Sequence, residues 1–288
     1  MTPTPALCAA PIGIFDSGVG GLSILRHIRA QLPHEQLLYV ADSGFAPYGD
    51  KPEQVVAARS LSIAQFLVAR GAKALVVACN TATVAAIKVL REHYPDMPIV
   101  GVEPGLKPAA AASHSGKVGV LATDMTLRGA KFLALREQVS AATGVQFLLQ
   151  PCIGLVDQIE LGELGAPEIE ALLTRYITPL LDDGADTIVL GCTHYPLVRA
   201  TIEQVIAANT TAPVTLVDTG DAVARQLARL LGQANLLRFD SGVTKVAGFT
   251  SASITALATA FSNLAGLTAP VVQVGFPVPL SPAFPAHD

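Results

Sequence analysis

Two cysteines stand at the end of what is nearly the same passage written twice: GAKALVVACNT from Gly71 to Thr81 and GADTIVLGCTH from Gly184 to His194. In both copies the thiol comes eight residues after the glycine, behind an apolar run and a small residue, Ala78 or Gly191. A thiol supplied by each half of a chain suggests two acid/base groups facing one substrate. Inversion of a carbon stereocentre requires that arrangement, with a base on one face and an acid on the other. Cysteine suits both roles, because its reference pKa of about 8.5 lies near working pH and shifts with its neighbours or with a helix N-terminus. If the carbon is the α-carbon of an amino acid, the carbanion drains into a carboxylate that is already negative. Donors must then stabilise the developing charge, and the base must sit within hydrogen-bond reach of the carbon.

The elements that would position these thiols can be read around them. A short apolar run bounded by glycine reads as a strand buried on both faces, as in parallel sheets. Each copy then enters a helical pattern, Ala82 to Arg91 and Leu197 to Ala208. Polar residues after a parallel strand and before a helix lie where open α/β sheets bind ligands. The earlier parts of the halves correspond too, IGIFDS (Ile12 to Ser17) with VGVLAT (Val118 to Thr123). Strand and helix candidates alternate through the chain, so the expected fold class is α/β. Two similar parallel-sheet α/β domains related by a pseudo-twofold are expected, with the active site between them. The expected division is a first domain of residues 1–102 completed by 213–288, a second of 103–212, and a loose proline-rich tail from about 276 to 288.

Composition narrows the function classes. The 288 residues are ample for two domains of about 100–150 residues each. They are 51% apolar and 15% charged, which argues against disorder. A formal net charge of −4 with no Lys/Arg cluster argues against nucleic acid as a partner. No run reaches the ~18 apolar residues of a membrane span, and the first basic side chain is Arg26, so no secretory n-region is expected. Four cysteines without short spacings read as reduced thiols, and a cytoplasmic location is expected.

Seven ordered motifs, IGIFDSGVGGLSILRHI, YVADSGFAPYGDK, VVACNTAT, GVEPGLKPA, VGVLATDMT, LGCTHYPLV and VDTGDAVAR, resemble those of the glutamate racemases, cofactor-independent members of the aspartate/glutamate racemase superfamily. The resemblance runs from about Ile12 to Gly266. It departs at Ile153 to Gln158, where the family more often has proline after its cysteine and again before its glutamate. It implies that Cys79 takes the proton from D-glutamate and Cys192 from L-glutamate, with Asp16 assisting the first thiol and His194 and Glu160 the second. It further implies that Asp16, Ser17, Asn80, Thr81, Thr123, Thr193 and His194 contact substrate, with Tyr48 and Gly49 contributing through the PYG turn. Asp42 shapes the loop before that turn. The implied product, D-glutamate, serves peptidoglycan synthesis; no cofactor or metal is implied, and a homodimer is left open.

Taken singly, several of these residues have plainer readings. Asp16 alone would be a helix cap or turn former as readily as a functional acid, His194 alone a structural histidine, and any one threonine ordinary turn chemistry. Gly18-Val19-Gly20-Gly21 hints at a dinucleotide turn, yet the full G-x-G-x-x-G spacing is absent, and close helix–strand packing is the expected use. Cys192-Thr193-His194 offers too few ligands for a metal, and Cys152 is expected to be a buried spectator. Two alternatives remain open: a related two-cysteine racemase with another substrate, such as aspartate, and a non-enzymatic amino-acid-binding module.

Overall fold

The computed structural model describes residues 4–239 and 244–277, so most of the expected tail, 278–288, lies outside the described residues. After a short helix, α1 (Pro5–Cys8), the first half runs β1 (Ile12–Asp16), α2 (Leu22–Gln31), β2 (Leu37–Ala41), α3 (Glu53–Ala69), β3 (Ala74–Val77), α4 (Asn80–His93) and β4 (Ile99–Gly101). The second runs α5 (Leu106–Ala112), β5 (Lys117–Ala122), α6 (Asp124–Arg128), α7 (Ala130–Thr143), β6 (Gln146–Pro151), α8 (Leu155–Glu160), α9 (Pro167–Asp182), β7 (Thr187–Leu190), α10 (Arg199–Asn209) and β8 (Thr215–Val217). The chain then returns through α11 (Gly220–Gln233), β9 (Val246–Thr250), α12 (Ile254–Ala265) and β10 (Val271–Gln273).

Two sheets result, ordered β10-β9-β2-β1-β3-β4 and β6-β5-β7-β8. All their strand pairs are parallel. The order β2-β1-β3-β4 in the first is matched by β6-β5-β7-β8 in the second, so each sheet reverses its winding between its first and third strands. Open α/β sheets bind ligands outside the carboxyl ends of the strands at that switch. Both faces of each sheet are covered: Ile12 and Ile14 point into a core with α2, α11 and α12, and Phe15 into one with α3 and α4. The second sheet is sandwiched likewise, by α8, α9 and α10 on one side and α5 and α7 on the other. Burial on both faces is why the strands are apolar runs without alternation.

The repeated passage has a physical cause at each end. Gly71 and Gly184 take φ of 82° and 85° as the chain leaves α3 and α9, a left-handed turn that glycine tolerates best. The charged residue that follows clamps the chain entering each half's first strand. Lys73 donates to Cys8 O and Glu35, while Asp186 accepts from the amides of His114 and Ser115. At the other end, the Ala78 amide donates to Phe15 O at 2.8 Å and the Gly191 amide to Leu121 O at 2.7 Å. Gly13 and Gly119 also correspond: a Cβ on either would press on leucines of the helix crossing above, Leu67 or Leu180.

Two expectations are corrected. β8 pairs with β7, so the second sheet continues past residue 212, and the chain crosses back only after Val217. Phe276, where the loose tail was expected to begin, is buried against Phe66, and its carbonyl accepts from Arg59. Its ring supplies apolar surface that the proline-rich context concealed.

Candidate functional site

The carboxyl ends of β1, β3, β5 and β7 converge on the seam between the halves. There, residues from both line one cavity of about 40 Å³. Cys79 and Cys192 both face it, together with Ser17, Tyr48, Gly49, Thr81, Thr123 and His194. Of the other expected residues, Asp16 and Glu160 stand behind this wall. Asn80 and Thr193 line a smaller adjoining cavity that Cys192 also reaches. The Asn80 amide is engaged with Val102 O at 3.4 Å, at the crossing between the halves.

The two thiols sit in different surroundings. Cys79 is the N-cap of α4, and its sulfur accepts from the Ala82 amide at 3.5 Å. Its S–H lies 3.7 Å from Ser17 Oγ. Burial pushes this thiol well above its ordinary range and the Asp16 carboxylate adds to that, while the Ala82 amide and Ser17 oppose it. Asp16 is wholly buried and accepts from the amides of Gly18 at 3.1 Å and Gly21 at 3.0 Å. Its own pKa is raised by burial, which outweighs the lowering by His194 and by those amides.

Cys192 instead has an imidazole beside it, with His194 Nδ1 at 3.6 Å. The other ring nitrogen, Nε2, is 2.6 Å from Glu160 Oε1. Burial alone would lower the His194 pKa, but hydrogen bonds with Cys192 and Glu160 lift it well above its usual value. Burial likewise works to raise Glu160, and the His194 hydrogen bond and charge, with the Val19 amide, bring it below the usual range. Sulfur, imidazole and carboxylate joined in a chain of contacts match the arrangement in which a base is oriented by a third group.

Supporting contacts cross the seam. Thr81 Oγ1 and Thr123 Oγ1 are 2.9 Å apart, joining the two helix starts. Thr193 Oγ1 donates to Asp16 Oδ1 at 3.4 Å, and Ser23 Oγ reaches Thr193 O at 2.8 Å. Asp42 holds Tyr48 against the cavity: it accepts from the Tyr48 hydroxyl and pairs through both oxygens with Arg59, each at 2.7 Å.

Sequence reading missed several residues of the cavity wall and its supports. Cys152, expected to be a spectator, lines the cavity, with its thiol pushed up to about 12 by burial. Its amide donates to Ala122 O at 3.0 Å, as that of Asp42 does to Asp16 O in the other half. The repeat therefore marked the position, although the residue types differ. Val19 and Ser43, which hold Glu160, carried no signal in the sequence.

An α/β chain folded twice on one plan, with a thiol from each copy on the wall of one cavity, is built as a two-domain isomerase. The chain belongs to the Asp/Glu/hydantoin racemase family, whose family model matches residues 18–227. It is 57% identical over 228 residues to a glutamate racemase of Ectopseudomonas mendocina, covering 79% of this chain and 84% of that one. A glutamate racemase of Pseudomonas syringae pv. tomato is 55% identical over 80% of this chain and 82% of its own. Among solved structures, Escherichia coli glutamate racemase in complex with L-glutamate and the activator UDP-MurNAc-ala superposes with a TM-score of 0.78. It is 32% identical and matches over 92% of this chain and 97% of that one.

Proposed function

We propose that this protein interconverts L- and D-glutamate without a cofactor, through Cys79 and Cys192 acting on opposite faces of the α-carbon. The observation that carries the reading is one cavity lined by a thiol from each half. The glutamate racemases to which the chain is similar support glutamate as substrate. Peptidoglycan synthesis is the use that the family implies for the product.

Starting from L-glutamate, the Cys192 sulfur removes the α-proton, and His194 supports it as proton partner. Charge spreads into the α-carboxylate, where the free amides at the start of α4 and the Thr81 and Thr123 hydroxyls are placed to receive it. Cys79, held protonated by burial and by Asp16, then donates its proton to the other face. From D-glutamate the roles reverse, and Asp16, whose raised pKa suits a proton acceptor, assists Cys79.

The cavity is narrow, about 40 Å³, and closure of its walls over a bound amino acid would exclude water from the carbanion. The four cysteines are free thiols, which supports a reducing, cytoplasmic setting. Among the described residues no helix is long and apolar enough to cross a membrane.

The deciding experiment follows the optical rotation of purified protein with each enantiomer of glutamate, and of aspartate, with no cofactor added. Rotation should decay to zero from either glutamate enantiomer. Decay with aspartate alone would reassign the substrate, and tight glutamate binding without decay would make this a binding module.

A further inference from the structure

The loop Gly18–Gly21 leads from β1 into α2 with no glycine at positive φ, so its backbone does not itself demand glycine. A side chain there would displace groups of the opposite half. A Cβ on Gly18 would fall 2.0 Å from Glu160 Oε1, and one on Gly20 would fall 2.3 Å from His194 Nδ1. Both partners are the groups that serve Cys192, and both arrive from across the seam.

Hydrogen bonds hold the same pair in the same place. Glu160 Oε1 accepts from the Val19 amide at 2.7 Å, and Oε2 accepts from Ser43 Oγ at 3.2 Å. Both donors belong to the first half, and only His194 comes from Glu160's own half. Cys79 differs, since Asp16, Ser17 and the Ala82 amide all lie on its own side. Parting the halves would cost the Cys79 group only the 3.4 Å contact from Thr193 to Asp16, and would strip Glu160 of two of its three donors.

We propose that Gly18, Val19 and Gly20, with Ser43, form a socket that seats Glu160 and His194 when the halves close, so that the Cys192 side becomes competent only in the closed enzyme. This rests on the two-thiol reading above. Val19 and Ser43 are positioning residues, since they act through Glu160. The glycines act by leaving space. Closure then does more than exclude water, because it completes one of the two acid/base groups, and an open cleft holding glutamate lacks an oriented partner for Cys192.

The test uses Gly20→Ala, Ser43→Ala and Ser43→Thr, with L- and D-glutamate deuterated at the α-carbon. Gly20→Ala should lower kcat/KM about 10–100-fold, the usual cost of misplacing a supporting group. Ser43→Ala should lower it several-fold, and Ser43→Thr should restore it. In the impaired variants the Cys192 step limits both directions. The isotope effect on kcat/KM should therefore rise with L-glutamate and fall towards unity with D-glutamate. A merely structural loss would leave the two effects in their wild-type ratio, and that result, or the opposite asymmetry, overturns the socket. The Val19 amide gives a readout independent of turnover: it should be protected from hydrogen exchange in the wild type and lose protection in Gly20→Ala. Unchanged protection overturns the proposal even if glutamate proves not to be the substrate, whereas a wild type that fails to racemise glutamate counts against the two-thiol reading alone.

Discussion

The two halves present their thiols on equivalent strand ends but surround them with opposite chemistry. Cys79 sits among a buried carboxyl, a serine and a helix amide, all from its own half, and is held protonated. Cys192 has an imidazole at 3.6 Å, which is in turn fixed by a carboxylate gripped from the other half. Duplication supplied the frame twice, and the residues flanking the frame set each thiol's role. Position 16 is aspartate where the second copy has Ala122, and position 194 is histidine where the first has Thr81. In the mechanism proposed above, a symmetric substrate problem is met with asymmetric proton chemistry, the acid pre-formed on one face and the base assembled by closure on the other.

Removing either thiol breaks the comparison most severely. Cys79→Ser and Cys192→Ser should each lower racemisation by about 10²–10⁴-fold, since a hydroxyl is a far poorer acid and base. Neither should unfold the chain, and circular dichroism would verify that. In deuterated water, D-glutamate made from L-glutamate should carry deuterium from the first turnovers, because the thiol that delivers is not the one that removes. Retained protium in early product would point to a single shared base.

Substituting the flanking groups should separate the two sides. His194→Asn should slow the Cys192 step and Asp16→Asn the Cys79 step, each by about 10²-fold, with α-deuterium isotope effects skewed towards opposite enantiomers. Skew in the same direction for both would mean that these residues do not divide between the thiols.

A smaller effect comes from pH. Glu160 is lowered from 4.5 and His194 is raised well above 6.5 on folding. The Glu160 contribution is present above 4.5 and fades as pH falls through its lowered value. That of His194 is complete below 6.5 and fades as pH rises through its raised value. The melting temperature lost in Glu160→Gln should therefore be greatest between pH 4.5 and 6.5 and shrink towards alkaline pH. A pH-independent difference would mean that the pair is not ionised in the folded protein.

Smallest is the threonine contact at the seam. Thr81→Ala removes this one hydrogen bond, about 1 kcal/mol; Thr123→Ala removes it together with the cap on the Thr126 amide and the bond to the Thr126 hydroxyl, so the double variant should cost little more than Thr123→Ala alone. Additive losses in denaturant melts would show that the 2.9 Å contact does not couple the halves.

The sequence by itself determined the α/β alternation, the doubled plan and the two thiols, because these rest on local patterns. Apolar runs four to six residues long, too short for a helix and bounded by glycine, read as strands buried on both faces, and a glycine turns the chain out of each preceding helix. That frame set Ser17, Thr123 and His194 near strand ends, and the resemblance to the glutamate racemases supplied the roles expected of them. Tertiary structure alone decided what faces what across the seam. Glu160 is 34 residues from its histidine and 141 from Val19, and no local spacing relates them. Gly18 and Gly20 look like packing glycines until the opposite half supplies the carboxylate and imidazole that they make room for. Cys152 reads as one more buried thiol until the second sheet sets it on the cavity wall, and β8 reads as a return to the first domain until it pairs with β7. The Glu160 and glycine contacts depend on docking two folded halves, and the places of Cys152 and β8 on assembly of the second sheet; in both, the partner is chosen by shape and by unsatisfied polar groups that short-range patterns do not encode.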